Sequence, residues 1–305
     1  MLTLRKYHGL GNDYLVLSPA ELDKPLRAED IRLICHRNYG VGSDGILLGP
    51  IMPDSEEFAA FCAEAGLSAA DCAGLCCALR IYNPDGSEAE KSGNGLRIFS
   101  RWLHDHGLVG SSPFRLATLG GVVEVAIADP KRSITVDMGQ ASFWSDEIPM
   151  TGPRREVLNE ELSLGGRTLR YCAATVGNPH CVVLWDGELS PAVAKEFGPL
   201  LECAPRFPRR TNVQFIRVED AHRVRVEVWE RGAGYTLASG SSATAVAAVV
   251  MRLGYCQSPV TVSMPGGDLI VAADADMTLR QTGPTALICE CKWFGPDGDS
   301  ALQAK

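Results

Sequence analysis

A mostly apolar run near the C-terminal end of the chain follows a short stretch of small polar residues. Residues 239–242 read Ser-Gly-Ser-Ser, and the segment from Ala243 to Val250 is almost entirely alanine and valine. Small polar side chains at a helix start cap free backbone N–H groups, and a helix that is apolar on all sides belongs in a core. The pattern predicts a buried helix whose polar N-terminus favours a bound carboxylate or phosphate.

The same arrangement occurs earlier in the chain. A strand-like segment ends in a turn near Asn83, and Ser92-Gly93-Asn94-Gly95 then opens the periodic run from Leu96 to His106. Either stretch alone is also typical of an ordinary capped helix. Together they predict an internal repeat, with two pseudo-symmetric halves whose helix N-termini form two parts of one site.

Strand patterns fill most of the remaining chain and are separated by turn residues. A glycine-rich turn at residues 8–13 predicts a hairpin. The alternative is that the side-chain amide of Asn12 in this turn binds a ligand. Residues 53–79 are rich in alanine and cysteine, have helical character and look like a surface insertion. Further strands are predicted at residues 111–125, 133–138, 167–176, 181–185, 211–215, 224–229 and 286–294.

Length and charge narrow the functional class. A chain of 305 residues is long enough for two domains with separate cores, and a net charge of −8 argues against nucleic acid as a partner. No apolar run reaches the roughly 18 residues of a membrane span, and the N-terminus lacks a signal-peptide pattern. These features predict a cytoplasmic protein with no membrane partner. The eleven cysteines are scattered and lack zinc-site spacing, so buried reduced thiols and no metal site are expected.

Six motifs, in order along the chain, carry a resemblance to a known family. They are H-G-L-G-N-D-Y, Y-N-P-D-G-S-E, S-G-N-G-L-R, A-T-V-G-N-P-H-C-V-V, R-T-N-V-Q-F and E-R-G-A-G-Y-T-L-A-S-G-S. Together they resemble diaminopimelate epimerase over nearly the whole chain, except the 53–79 insertion. Six ordered motifs are far more specific than any single one.

The resemblance implies a fold and an assembly. The fold class is α+β, with two pseudo-symmetric domains that are each a mixed β-sheet or barrel curled round a central α-helix. The N-terminal half would span residues 1–135 and regain the C-terminal strand at 286–305, and the second half would span 136–285. The resemblance also implies a site in the cleft between the halves, a homodimer, and catalysis that requires no cofactor.

The resemblance also implies a reaction, the conversion of LL- to meso-diaminopimelate in the pathway to lysine and cell-wall precursors. Two cysteines, one on each face of the α-carbon, exchange its proton in that family. The matching positions here are Ser92 and Ser239. A serine hydroxyl is a much weaker acid than a thiol and needs an adjacent base. His180 and Glu230 match family residues that flank the thiols, so we expect them to tune or replace the serines.

The resemblance further implies a pocket for an amino dicarboxylate or a similar amino acid. The residues expected to hold such a substrate are Asn12, Asn83, Gly93, Asn94, Asn178, Asn212, Arg231, Gly240 and Ser241. Two other positions depart from the family, which usually has glutamate at the position of Tyr235 and a glutamine near Gly45. Tyr235 is interpreted as a packing substitution, with a phenolic donor near Ser239 as the alternative.

Two alternatives to epimerisation follow from the paired serines. One is a proton-shift isomerase or lyase of the phenazine-biosynthesis type, in which an acid/base on a single face suffices. The other is a non-catalytic protein that binds an amino acid through the retained asparagines. Exchange with inversion, a migrated double bond, or binding without exchange would distinguish the three.

Overall fold

The chain forms two compact units. The computed structural model describes residues 1–295, and within that range the first unit consists of Met1–Ile134 together with the chain from Pro284 to residue 295. The second unit is Thr135–Gly283. The predicted C-terminal segment extends to residue 305, and its residues 296–305 lie outside the described part of the chain.

The first unit is built mainly from strands, with one long helix. A hairpin opens it, and Leu10 and Gly11 at its tip both have positive φ, as a tight two-residue turn requires. The strands are β1 (Leu2–Gly9), β2 (Asn12–Leu17), β3 (Ile46–Ile51), β4 (Cys77–Tyr82), β5 (Glu88–Ala89), β6 (Phe114–Thr118) and β7 (Gly121–Asp129). The helices are α1 (Ala28–Cys35), α2 (Glu56–Glu64), α3 (Ala69–Cys72) and α4 (Gly93–Asp105).

The second unit has a similar composition of elements, and the chain then leaves it to form one further strand. Its strands are β8 (Ser133–Gln140), β9 (Glu160–Leu164), β10 (Arg167–Thr175), β11 (Pro179–Leu184), β12 (Asn212–Asp220), β13 (Arg223–Glu230), β14 (Gly234–Thr236), β15 (Val260–Met264), β16 (Gly267–Ala273) and β17 (Thr278–Gly283). Its helices are α5 (Pro191–Glu202) and α6 (Gly240–Arg252). The last strand, β18 (Ala286–Trp293), pairs antiparallel with β1.

The strand pairings repeat from one unit to the other. In the first unit β1–β2 is antiparallel, β2–β3 parallel, β3–β4 antiparallel, β4–β6 parallel and β6–β7 antiparallel. In the second, β10–β11, β11–β12, β12–β13, β13–β15 and β15–β16 follow the same sequence of orientations. Each unit is thus a mixed sheet with few helices, and α4 and α6 occupy equivalent places. The predicted α+β fold is confirmed.

The two equivalent helices lie in the cores of their units. In α4 every residue from Gly93 to Leu103 is buried, and in α6 Ala243–Val250 are completely inaccessible. The α6 helix packs against strands β10 to β13 and β15 to β17. This enclosure explains why its sequence is apolar on every side, since no face of the helix meets water.

The segment at 53–79 differs from the predicted surface insertion. Its last residues, Cys77–Leu79, belong to β4, which pairs with β3 and β6. The helix α2 buries Phe58 and Phe61 in a cluster that includes Ala117 of β6. Helices α2 and α3 lie between β3 and β4, where the second unit has only the short connection between β12 and β13. The insertion is therefore limited to helices α2 and α3, and side chains of α2 form part of the hydrophobic core of the first unit.

Within residues 1–295, none of the helices is both long and apolar enough to cross a lipid bilayer.

Candidate functional site

Both candidate serines cap the N-terminus of a central helix. Ser92 precedes α4 with φ −140° and ψ 115°, and Ser239 precedes α6 with φ −143° and ψ 125°. Each Oγ accepts a hydrogen bond from the N–H three residues later, at 3.1 Å from Gly95 and 3.4 Å from Ser242. The repeat therefore places two hydroxyls in the same local geometry, beside N–H groups that favour negative charge.

The glycines that follow the serines are buried and are held through their carbonyl groups. Arg97 Nη1 donates to the Gly93 carbonyl at 3.4 Å, and Gln281 Nε2 donates to the Gly240 carbonyl at 2.6 Å. The first N–H groups of an α-helix have no acceptor within the helix and point out of its N-terminal end. They are suited to hold a carboxylate.

In the first unit, Ser92 is also in contact with a phenol. The Tyr14 hydroxyl lies 3.3 Å from Ser92 Oγ, and either group can donate. Tyr14 is 6% exposed and lies on β2. This contact joins a strand residue to a helix cap 78 positions later.

Next to this pair, a chain of amide groups connects the hairpin to α4. Asn12 Nδ2 donates to Asp44 at 2.9 Å, and Asn12 Oδ1 accepts from Asn94 Nδ2 at 3.1 Å. Asn94 in turn accepts from the buried Arg97, whose pKa burial lowers to about 9. The predicted residues Asn12, Gly93 and Asn94 therefore meet around the α4 N-terminus.

Asn83, the other asparagine predicted in this unit, lies in a turn. Its Nδ2 donates to Ser87 Oγ at 3.0 Å, and its backbone N–H donates to the Ser87 carbonyl at 2.8 Å. The structure thus gives Asn83 a role in the connection between β4 and β5. Its substrate-binding role stays a prediction.

In the second unit, His180 is fully buried and both its ring nitrogens are engaged. Gln214 Nε2 lies 3.1 Å from Nδ1, and Asn178 Oδ1 lies 2.8 Å from Nε2. An amide NH₂ can only donate and an amide oxygen can only accept, so Nδ1 accepts and Nε2 carries the proton. Burial, followed by the positive charge of Arg231, lowers the pKa of His180 to about 3. His180 is therefore neutral and is held in one tautomer.

The histidine network reaches the start of α6. Gln214 Nε2 also donates to Ser242 Oγ at 2.9 Å, and Asn178 Nδ2 donates to Ser241 Oγ at 3.5 Å. Ser239 itself donates its backbone N–H to Met264 Sδ at 3.5 Å. His180 is thus connected to Ser239 indirectly, through Gln214 and Ser242.

Asn212 and Arg231 form a separate part of this region. Asn212 is buried, donates to the Pro179 carbonyl at 3.1 Å and accepts from the Arg231 backbone N–H at 3.0 Å. The exposed guanidinium of Arg231 donates to the Arg209 carbonyl at 3.2 Å. A guanidinium at the surface, close enough to affect His180, can bind a carboxylate.

Glu230 and Tyr235 lie on neighbouring strands. Glu230 is half-buried at the end of β13 and pairs with Gly234 of β14. The Tyr235 hydroxyl donates to the buried carboxylate of Glu227 at 2.8 Å. The Tyr235 ring packs against the core of the second unit. These contacts agree with the interpretation of Tyr235 as a packing residue.

Sequence reasoning missed several residues of these networks, and Tyr14 and Gln214 show two different reasons. Gln214 carried a usable signal, because it interrupts the apolar strand residues Val213, Phe215 and Ile216. A polar side chain buried in a strand needs a partner. Tyr14 carried no such signal, since an aromatic residue in a strand is ordinary.

Comparison with known proteins extends this local evidence to the whole chain. The family model described as diaminopimelate epimerase matches residues 4–144 and 172–288. Diaminopimelate epimerase 2 from Nostoc sp. is 52% identical over 277 residues, which cover 91% of this chain and 90% of that protein. The Pelotomaculum thermopropionicum diaminopimelate epimerase is 37% identical, with 92% and 94% of the two chains covered.

Solved structures share the fold at low sequence identity. A hydroxyproline epimerase from Agrobacterium vitis, with bound trans-4-hydroxy-L-proline, aligns with TM-score 0.65 and 14% identity over 99% of this chain and 98% of that one. A phenazine biosynthesis protein from Bacillus anthracis aligns with TM-score 0.60 and 14% identity over 95% and 98%. With matching strand pairings, capped central helices, a family-model match over most of its length and a relative at 52% identity, the chain belongs to the diaminopimelate epimerase family.

Proposed function

We propose that this protein is a cofactor-independent epimerase that inverts an α-carbon of diaminopimelate by proton transfer. The observation that carries the proposal is the pair of equivalent helix N-termini, each capped by a serine where the resemblance places a family cysteine. Ser92 and Ser239 would exchange the proton, and the N–H groups of α4 and α6 would hold the α-carboxylate. The product would enter lysine and cell-wall synthesis.

The other predicted residues receive roles that agree with their contacts. His180 is neutral, and we assign it the task of fixing Gln214 and Ser242 at the start of α6. Glu230 remains the predicted base of the second unit. Asn12, Asn94 and Asn178 would contact the polar groups of the amino acid, and Arg231 would bind a distal carboxylate.

Proton exchange in heavy water tests this function directly. LL-diaminopimelate is incubated with the protein in D₂O, and NMR follows loss of the α-hydrogen together with formation of the meso isomer. We expect exchange with inversion, and we expect Ser92→Ala or Ser239→Ala to reduce it strongly. Binding of diaminopimelate without exchange at any pH would instead favour a non-catalytic role.

Arg231 gives a separate test of the substrate class. Arg231→Ala should weaken diaminopimelate binding about tenfold or more, because a charge-assisted hydrogen bond contributes roughly 1.5–3 kcal/mol. Isothermal titration calorimetry measures the change. Arg209→Ala, at a neighbouring arginine that contributes only its backbone carbonyl to the network, is the matched control. Equal affinity of Arg231→Ala and the unaltered protein would contradict the assignment.

A second candidate is a proton-shift isomerase of the phenazine-biosynthesis type. The observation that favours it is the contact between the Tyr14 hydroxyl and Ser92 Oγ, which gives the first unit an acid/base pair of side chains of its own. One such pair is enough to move a proton between two carbons on the same face. An unsaturated amino acid incubated with the protein in D₂O distinguishes this candidate, since migration of its double bond shifts the olefinic NMR signals, whereas a strict epimerase leaves the double bond in place.

The proposal includes a homodimer in the cytoplasm, for which the family resemblance is the support. Size-exclusion chromatography with light scattering should give twice the mass of the single chain. A monomeric mass at all concentrations would contradict the dimer. Fractionation of cells that make the protein tests its location.

A further inference from the structure

The position of the Tyr14 hydroxyl is fixed by the structure around it. Tyr14 lies on β2 between Asp13 and Leu15, and all three are buried. Its strand is held on one side by β1 and on the other by β3. A phenol in such a place has little freedom to turn away from Ser92 Oγ, 3.3 Å distant.

The backbone at Gly45 leaves space for the Tyr14 ring. A Cβ atom at residue 45 would lie 2.6 Å from Tyr14 Cε1 and 2.3 Å from the Tyr82 carbonyl oxygen. Any side chain there would have to displace the tyrosine or the strand. The glycine at this position is therefore required for the observed contact between Tyr14 and Ser92.

The hydrogen bonds of Ser92 leave its own proton available. Ser92 Oγ accepts from the Gly95 N–H at 3.1 Å, and it can accept from the Tyr14 hydroxyl as well. A hydroxyl has two acceptor lone pairs and one proton. When both lone pairs accept hydrogen bonds, the serine proton is directed away from the two donors. The Tyr14 hydroxyl can then supply a second proton to Ser92 Oγ.

We propose that Tyr14 is the acid–base partner of Ser92, a positioning and proton-relay residue for the epimerisation proposed above, on which this inference rests. When the substrate carbanion is protonated, the Ser92 O–H bond breaks as the Cα–H bond forms. In the same step the Tyr14 O–H bond breaks and its proton restores the Ser92 hydroxyl, which leaves a phenolate. In the reverse direction, Ser92 Oγ takes the α-proton as the Tyr14 phenolate takes the serine proton.

The relay solves the chemical difficulty of a serine at this position. A serine alkoxide is a high-energy species, whereas a phenol ionises near pH 10 in water. The relay moves the negative charge from the aliphatic oxygen to the aromatic one, so no free alkoxide has to accumulate. The positive end of α4 next to Ser92 favours the anion further. In the second unit Ser239 contacts the Ser242 N–H and Met264 Sδ instead, so the effect belongs to the first unit.

Tyr14→Phe tests the relay because it removes the hydroxyl and retains the ring. We expect kcat for α-hydrogen exchange to fall about 100-fold, within the usual contribution of general acid–base catalysis, with KM little changed. Tyr7→Phe is the matched control, since Tyr7 is also a buried phenol in the sheet and donates to Asp105 at 3.1 Å. We expect it to retain nearly full activity. Equal activity of Tyr14→Phe and the unaltered protein would overturn the inference.

A double-mutant cycle separates the relay from a structural role. In a Ser92→Cys background the thiol supplies its own acidity, so Tyr14→Phe should cost only about threefold or less. An equal loss in both backgrounds would mean that Tyr14 only supports the fold. If Tyr14→Phe does not fold, 3-fluorotyrosine at this position retains the shape and has a more acidic phenol. The alkaline limb of the pH–rate profile should then move to lower pH, and an unmoved limb would refute the relay.

Failure of the underlying function has a different signature. If the unaltered protein binds diaminopimelate but exchanges no α-hydrogen, the proposed epimerase activity fails and the relay with it. If the unaltered protein exchanges the hydrogen and Tyr14→Phe does so equally well, only the relay fails.

Discussion

Ser92 and Ser239 adopt nearly the same backbone conformation because each is a helix N-cap whose Oγ accepts from the third residue of the helix. This part of the site could be predicted from the sequence, since a cap and its partner are only three residues apart. The contact of Ser92 with Tyr14 could not, because the two residues are 78 positions apart and meet only when β2 packs on α4. The helix caps were therefore predictable from the sequence, whereas the contact between Tyr14 and Ser92 was not.

His180 shows the same limit from another side. The family resemblance marked it as a candidate base, a role that a histidine of ordinary pKa can fill near neutrality. The fold buries it completely and lowers its pKa to about 3, and Gln214 occupies its only lone pair. Burial of this depth depends on strands β11 and β12 lying side by side. The change from a candidate base to a fixed neutral donor therefore comes from tertiary structure.

The lowered pKa of His180 predicts an acid sensitivity of the folded protein. The unfolded chain binds a proton at His180 below about pH 6.5, whereas the folded protein does so only near pH 3. Stability from the neutral histidine is therefore complete above pH 6.5 and is lost as the pH falls toward 3, by about 1.4 kcal/mol per pH unit. Between pH 7 and pH 5, His180→Gln should lose about 2 kcal/mol less than the unaltered protein in urea unfolding.

An exposed histidine is the control for that experiment. His222 lies on the surface of the same unit, where its Nδ1 contacts the Gln257 and Pro259 carbonyls, so His222→Gln shows how much of any difference a histidine-to-glutamine change causes by itself. A pH dependence of His180→Gln identical to that of the unaltered protein would mean that His180 becomes charged in the folded state, and its neutral role would be excluded.

Among the elements, the two central helices and the strands around them followed from periodicity. An all-apolar helix must be enclosed, and a strand-like segment followed by a small polar helix cap, found twice, indicates a repeat. The insertion was harder to interpret, because its many alanines and cysteines hide the two phenylalanines that matter. Phe58 and Phe61 are three residues apart and so share one face of α2. That face packs on the sheet of the first unit.

The packing of α2 predicts that the insertion cannot be removed without loss of stability. Phe61 is completely buried and meets Ile51, Ala78 and Ala117 in one cluster, so Phe61→Ala should cost about 3–5 kcal/mol through lost burial and the cavity left behind. Glu57→Ala, on the exposed face of the same helix, should change the free energy of unfolding by no more than about 0.5 kcal/mol. Chemical denaturation measures both. A loss below about 1 kcal/mol for Phe61→Ala would mean that the insertion is peripheral to the core.

At the scale of the whole molecule, one repeated fold presents two hydroxyls with unlike surroundings. In the first unit Ser92 is next to a phenol, and in the second a neutral histidine and a glutamine support the helix start beside Ser239. A repeat that preserves strand pairings and helix caps can still diverge in the side chains behind each cap. Sequence motifs indicated the repeat, but this asymmetry depends on side chains that only the folded units bring together.

If the two serines act on the same substrate, restoring thiols at both positions should change activity more than additively. Serine and cysteine differ by one atom, so Ser92→Cys/Ser239→Cys should preserve packing, while the N–H groups of α4 and α6 favour the thiolate. We expect the double variant to epimerise diaminopimelate at least about tenfold faster than the unaltered protein. Each single variant should gain much less, because inversion needs a proton acceptor on one face and a donor on the other.

The α-hydrogen exchange measured by NMR in D₂O compares all four proteins. A double variant that binds diaminopimelate but gains no exchange would show that the divergence from the family extends beyond two sulfur atoms. The proton-shift reaction on the Tyr14–Ser92 pair would then account better for the site.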